Sequence, residues 1–147
     1  MAALTNSRNT PELADGGRTM VYPVEANTNV YLGSIVALNA NGNATPASNG
    51  VNLKLIGRAE MVYGGIPGQD ALNNPGAAAA ISIVARRGVF MYAVNDASIA
   101  AAQVGQMAFA VDDNSVSASD GSGATAVVVT IHDIPGVGIG TDRKPRP

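Results

Sequence analysis

The sequence predicts a mostly β fold: a compact β-sandwich or β-barrel-like domain with one short helix and an extended N-terminal arm. Two observations carry this. Short runs rich in β-branched and aromatic residues recur along the chain, several with strict alternation, and clusters of Gly, Asn and Asp fill the gaps between them. A doubly wound α/β fold would need repeated helices, and only one short segment carries helix signals.

The elements follow in order. Residues 1–19 have no period and contain Asn6, Ser7, Asn9, Pro11, Gly16 and Gly17, with Leu4 and Leu13 as the sizeable apolar anchors. They read as an arm, either frayed or ordered on a partner. A β domain is expected over residues 20–139 and a polar, basic tail over 140–147. Met20 to Val24 and Val30 to Leu38 read as strands. Asn41-Gly42 is a turn signal. Leu53 to Tyr63 alternates, with Leu53, Leu55, Gly57, Ala59, Met61 and Tyr63 on one face and Lys54, Arg58 and Glu60 on the other. Residues 64–79 hold Gly64-Gly65, Pro67-Gly68, Asn73-Asn74 and Pro75-Gly76, which reads as a long surface loop.

Ile81 to Val94 is the most apolar strand region. Arg86-Arg87-Gly88 interrupts it, and the glycine points to a bulge that re-aims the chain. Neighbouring side chains on a strand point to opposite faces, so one of these arginines is expected to turn inward and to need an acid, with Glu60 and Asp96 as candidates. A solvated bulge is the alternative. Ala97 to Gln103 supports one or two helical turns, capped by Asp96 or Ser98. Met107, Phe109 and Val111 alternate, Asp112 to Ser115 and Asp120 to Gly123 read as turns, and Val127, Val129 and Ile131 alternate again.

Composition excludes several functions. The chain has 147 residues, which fits one domain, with only 2 Phe, 4 Tyr and no Trp, so its core must come from Val, Ile, Leu, Ala and Met. Charged residues make up 14%, well below the usual quarter or so, which suits a surface packed against neighbours. A net charge of −2 provides no global field for nucleic acid. The absence of cysteine excludes disulfides, thiol nucleophiles and zinc–thiolate sites. The polar N-terminus lacks the apolar core of a secretory signal, and no apolar run reaches the length of a membrane span. Synthesis in a cytoplasm and no membrane partner are the expectations.

No constellation carries catalysis. His132 is the single histidine, and no nucleophile-elbow sequence accompanies it. Asp112, Asp113, Asn114 and Asp120 lack the spacing and distal Glu of a calcium loop and read as turn residues. Gly136 to Gly140 precedes no helix, so it is no dinucleotide fingerprint and reads as a flexible exit to the tail. Arg143, Lys144 and Arg146 read as a solubilising end. The expectation is a scaffold with no catalytic residues, no metal and no cofactor.

Four blocks, in order, resemble a known family. Gly33-Ser34-Ile35-Val36-Ala37-Leu38 followed by Asn39-Ala40-Asn41-Gly42-Asn43 and Ala44-Thr45-Pro46-Ala47 is similar to the opening strand, turn and second strand of the small phage capsid cement, or decoration, proteins. Ile56-Gly57-Arg58-Ala59-Glu60 resembles that family's V-G-R-A-E block, and Val84 to Phe90 resembles its V-x-R-x-G-V-F strand. Val104-Gly105-Gln106 with Ala110 to Val116 resembles its V-G-x and V-D-D-x-x-V block. The resemblance covers roughly residues 31–120; the first 19 residues and those after Asp133 lie outside it.

It implies a mostly β capsid cement protein on the outer surface of an expanded phage head. The major capsid protein would be its partner, along with its own copies, as a trimer first and a dimer second. Leu4, Arg8, Leu13, Arg18, Arg86 and Arg87 are the residues expected to carry capsid or subunit contacts, with the 64–79 loop beside them. A virion-surface module for glycans or a host receptor is the alternative. It would need aromatic side chains at loop tips, whereas Tyr22, Tyr31, Tyr63 and Tyr92 fall in expected strands.

Overall fold

The computed structural model describes residues 3–14, 19–50, 52–63, 71–74, 76–94, 99–119, 128–131 and 138–140. The fold is mostly β, as expected, and it is sandwich-like and not a closed barrel. Its strands among the described residues are β1 (Glu12–Ala14), β2 (Thr19–Pro23), β3 (Thr28–Tyr31), β4 (Ile35–Leu38), β5 (Ala44–Pro46), β6 (Lys54–Tyr63), β7 (Ala71–Asn74), β8 (Ser82–Arg86), β9 (Val89–Met91), β10 (Ala93–Val94), β11 (Met107–Ala110), β12 (Ser115–Ser117), β13 (Val128–Ile131) and β14 (Gly138–Gly140). They form a five-stranded sheet, β2-β8-β6-β4-β5, a seven-stranded sheet, β1-β9-β14-β13-β11-β12-β10, and a two-stranded ribbon of β3 and β7.

The five-stranded sheet is the middle layer. On one side, Ile35, Ala37 and Leu55 pack with Phe90, Tyr92, Ala108, Ala110 and Val116 of the seven-stranded sheet. On the other, Val36, Ile56, Ala59, Ile83 and Ala85 pack with Val24 and Val30 under the ribbon. Both clusters bury aliphatic side chains and Phe90 completely or nearly so, which is the main stabilising term for a chain this poor in charge.

Bulges in β6 decide which side chain faces which layer. Val36 pairs with Gly57 and Ala37 with Leu55, so Ile56 is the extra residue. A second irregularity lies at Glu60, between the Ala59–Ala85 and Met61–Val84 pairs. Gly57 has a φ of +143°, and a Cβ there would lie 2.2 Å from the Arg86 carbonyl oxygen. Glycine is therefore required by both conformation and the close approach of β8. The strict alternation expected over Leu53 to Tyr63 does not survive. Leu55 joins one cluster, Ile56 and Ala59 the other, and Arg58 turns onto the Phe90 side.

Four further expectations are corrected. The 64–79 segment is not all loop: Ala71–Asn74 is β7, fully paired with β3. Backbone pairing with a distant strand supplies what this Asn-rich sequence does not signal locally. The glycine-rich 136–140 stretch is not simply a flexible exit, because Gly138–Gly140 is a strand between β13 and β9. The interruption at Arg86-Arg87-Gly88 is a corner at which the chain leaves the five-stranded sheet at Arg86 and enters the seven-stranded sheet at Val89. The helical segment is a single 3₁₀ turn, Ala101–Gln103, whose leading amide at Ala100 donates to the Gln103 side chain at 2.9 Å. Asp96 and Ser98, its expected caps, lie outside the described residues.

The turns expected at Asn41-Gly42 and Asp112–Ser115 agree with the sequence, and the one expected at Asp120–Gly123 lies outside the described residues. Gly42 adopts φ +82° between β4 and β5. Asn39 Oδ1 accepts the amides of Asn41 and Asn43, both at 3.0 Å. Glu25 fastens this turn to the ribbon side: it accepts from the side chains of Asn39 and Asn43 and from the Ala26 amide. Those donors hold its carboxyl below the ordinary carboxylate value, the Ala26 amide foremost.

Candidate functional site: the seam between arm and body

Residues 3–14 lie along their own domain, held at both ends by backbone groups and in the middle by two arginines. At the outer end, the Leu4 amide donates to Asp113 Oδ1 at 3.1 Å. The Arg8 amide donates to the Leu32 carbonyl at 3.1 Å. The Arg8 guanidinium donates to the Asn114 side chain and, at 3.3 Å, to the Met91 carbonyl. Thr10, buried, donates its hydroxyl to the Gly33 carbonyl at 2.8 Å. At the inner end the Pro11 carbonyl accepts the Met91 amide at 3.1 Å, and β1 then pairs with β9.

Gly33 makes this path available. Its φ is +85°, and a Cβ would lie 2.0 Å from the Arg8 carbonyl oxygen and 3.1 Å from Thr10 Oγ1. Any side chain at this position would push the arm off the body.

Arg58 is the second clasp. It donates to the Thr10 carbonyl and forms an ion pair with Glu60, with Nε 2.7 Å from Oε1. Its guanidinium carbon lies 4.2 Å from the centroid of the Phe90 ring. A planar cation on an aromatic face, with its hydrogen bonds met by a carboxylate and a carbonyl, is a partly desolvated cation–π contact. Phe90 in turn meets Tyr92 edge-to-face at 6.5 Å. Burial pushes the Tyr92 phenol well above its ordinary value.

The 112–115 turn receives the outer end of the arm. Asp112 Oδ1 accepts the amides of Asn114 at 2.8 Å and Ser115 at 2.7 Å, which is the expected Asx geometry. Asp113 is 4% exposed. Burial pushes its carboxyl above the ordinary value, Asp112 adds to this, and the Leu4 amide opposes it. A shallow groove of about 420 Å³ runs beside this corner, lined by Leu4, Tyr31, Pro46, Ala47, Asp112 and Asp113 among others.

Of the residues expected to carry contacts, Leu4 and Arg8 converge on this seam, and their described hydrogen bonds are to their own domain. Leu13 lies in β1 at the seam's inner end. Arg18 lies outside the described residues. Arg86 ends β8 and Arg87 lies in the sheet-switching corner, both half-buried. The acid proposed for them, Glu60, pairs with Arg58, and Asp96 lies outside the described residues, as do His132, Asp120 and the 141–147 tail. Thr10, Gly33 and Arg58 are seam residues that the sequence reading missed, and Asp113 and Asn114 were legible only as turn residues. The signal for Arg58 was the strand-interior Gly57, which marks a bulge and hence a change of face.

The seam has the chemistry of a fastener. Two arginines, the Thr10 hydroxyl and backbone amides donate across it to carbonyls, to the Asn114 side chain and to the carboxylates of Asp113 and Glu60. Among the described residues, no group of three or more His, Cys, Asp or Glu side chains comes together to hold a metal ion. No protein-family model, curated protein or solved structure matches the chain.

Proposed function

We propose that this chain is a structural cement protein. It binds the outer surface of an expanded phage head and stabilises the shell by bridging major capsid protein subunits, together with its own copies. The observation that carries this reading is where the four family-like blocks fall. The first block spans β4 and β5, the second lies in β6, the third runs from β8 into β9, and the fourth ends in β12. These are hydrogen-bonded neighbours in the middle sheet and the facing strands of the next. The blocks thus include Ile35, Ala37, Ala47, Phe90, Ala110 and Val116 of the main core, together with the turns that join their strands.

The physical role is linkage. A protein that binds only the assembled shell stabilises it by RT ln(1+[L]/Kd), about 2.7 kcal/mol per site at a hundredfold excess over Kd. Repeated at many seams, that term resists disruption. A rigid body with its arm fastened down transmits load between subunits without first losing the entropy of ordering a loose segment.

The test uses expanded, undecorated heads of the virus whose genome carries the chain. Heads incubated with the protein are expected to survive heating to a higher temperature than bare heads. The shift should saturate with protein concentration and be absent for unexpanded shells. Heads that come apart at the same temperature with and without saturating protein would refute the cement role.

A further inference from the structure

The five-stranded sheet has two edges, and among the described residues only the β5 edge is closed by the chain itself. At the β5 edge, the Ala44 carbonyl accepts the Glu25 amide at 3.0 Å, Val24 bridges to Ala44, and Pro46 has no amide hydrogen to offer. At the other edge, β2 pairs with β8 on its inner side along its full length, from Thr19–Arg86 to Pro23–Ser82. Its sequence, Thr-Met-Val-Tyr-Pro, carries no charge, and Met20 and Val21 are 46% and 55% exposed. An uncharged, apolar edge strand is a template for pairing, and natural proteins blunt or cover such edges.

The direction of the backbone groups selects what covers it. The Val24 amide donates inward, to the Ile81 carbonyl at 3.0 Å. Antiparallel strands alternate, so Tyr22 and Met20 also turn their backbone groups toward β8, whereas Thr19, Val21 and Pro23 turn theirs outward. The outer edge therefore presents two amides, Thr19 and Val21, and three carbonyls, Thr19, Val21 and Pro23. A second copy of β2, laid antiparallel about a two-fold axis through Val21, matches this set. Val21 exchanges both bonds with its counterpart, each Thr19 amide meets a Pro23 carbonyl, and the missing proline amide falls opposite a Thr19 carbonyl. Every outward donor finds an acceptor. Because the far edge is closed, the two edges of this sheet cannot pair head to tail, and pairing of β2 with its own copy is isologous.

We propose that two copies of this chain associate through β2, joining their five-stranded sheets across a two-fold axis at Val21. The inference concerns contact between copies and is independent of shell binding.

The chain has no cysteine, so a single Val21→Cys substitution reports the contact directly. Hydrogen-bonded antiparallel partners have Cα atoms about 5.5 Å apart, within disulfide range. The proposal predicts a dimeric mass for the full-length protein by light scattering and rapid oxidation of V21C to a covalent dimer. Val21→Lys sets two ammonium groups against each other and should halve the mass while leaving the circular dichroism and melting transition of a folded domain. Val104→Lys, at a position 47% exposed and outside β2, should leave the dimer intact. A monomeric wild-type protein at all concentrations, or an oligomer whose mass V21K does not change and whose V21C form does not cross-link, would overturn the proposal.

Discussion

Gly33 and Gly42 share nearly the same left-handed φ, +85° and +82°, yet they stand in opposite surroundings. A Cβ at Gly42 meets nothing within 4 Å, whereas one at Gly33 collides with the Arg8 carbonyl. Alanine at Gly42 should therefore cost only the conformational term, about 1–2 kcal/mol. Alanine at Gly33 should cost that term plus the seam. Urea denaturation would show the larger loss for G33A, and amide exchange would show faster exchange at Arg8 in G33A but not in G42A. Equal losses with unchanged exchange would mean that the arm is not held where Gly33 admits it.

Two carboxyls should give opposite pH signatures. Asp113 is shifted upward by burial, so its favourable contribution is complete below the unfolded value, about 4, and is lost as pH rises through the folded value. Asp113→Asn should match wild-type stability in acid and exceed it near neutrality, since Asn still accepts the Leu4 amide. Glu25 is shifted downward, so its contribution is present above the ordinary value of 4.5 and fades as pH falls through the lowered one. Glu25→Gln should therefore be weaker than wild type near neutrality and converge with it in acid. Denaturation curves across this range check both signs.

At the scale of elements, β6 was the most legible strand in the sequence and also the one most altered by its setting. Its existence follows from the Leu53 to Tyr63 alternation, but its facing does not, because Ile56 and Glu60 are extra residues opposite β4 and β8. A bulge is fixed by the partner strand, and single-sequence periodicity cannot see the partner. The same reason hid β7 and β14: Ala71–Asn74 and Gly138–Gly140 have weak strand preference and are strands through their pairing. On β11 the buried residues are Ala108 and Ala110, while Met107 is 53% exposed, since Phe90, Tyr92 and Ile35 already fill that part of the core. Local turn chemistry was legible at Asn39–Asn43 and Asp112–Ser115, because those hydrogen bonds are made within a few residues. The prediction at this scale concerns Gly57. Gly57→Ala adds strain at φ +143° and overpacks the β8 backbone, a loss of roughly 2–6 kcal/mol. Thermal unfolding should show a melting point lowered well beyond that of G42A; a change no larger than G42A would mean β8 can move aside freely.

At the scale of the whole molecule, three layers share one middle sheet, and residues 3–14 fasten to the body at Asp113, Asn114, Gly33 and β9. The arm was legible as a segment without period. Its destination was not, since Leu4–Asp113 and Arg8–Asn114 are contacts across more than a hundred residues. Whether the proposed partners are capsid subunits is decided by co-sedimenting the purified protein with expanded, undecorated heads. A cement protein should bind saturably, with a fixed number of copies per head, and not at all to unexpanded shells. Protein that stays in the supernatant with expanded heads at every concentration would contradict the cement role.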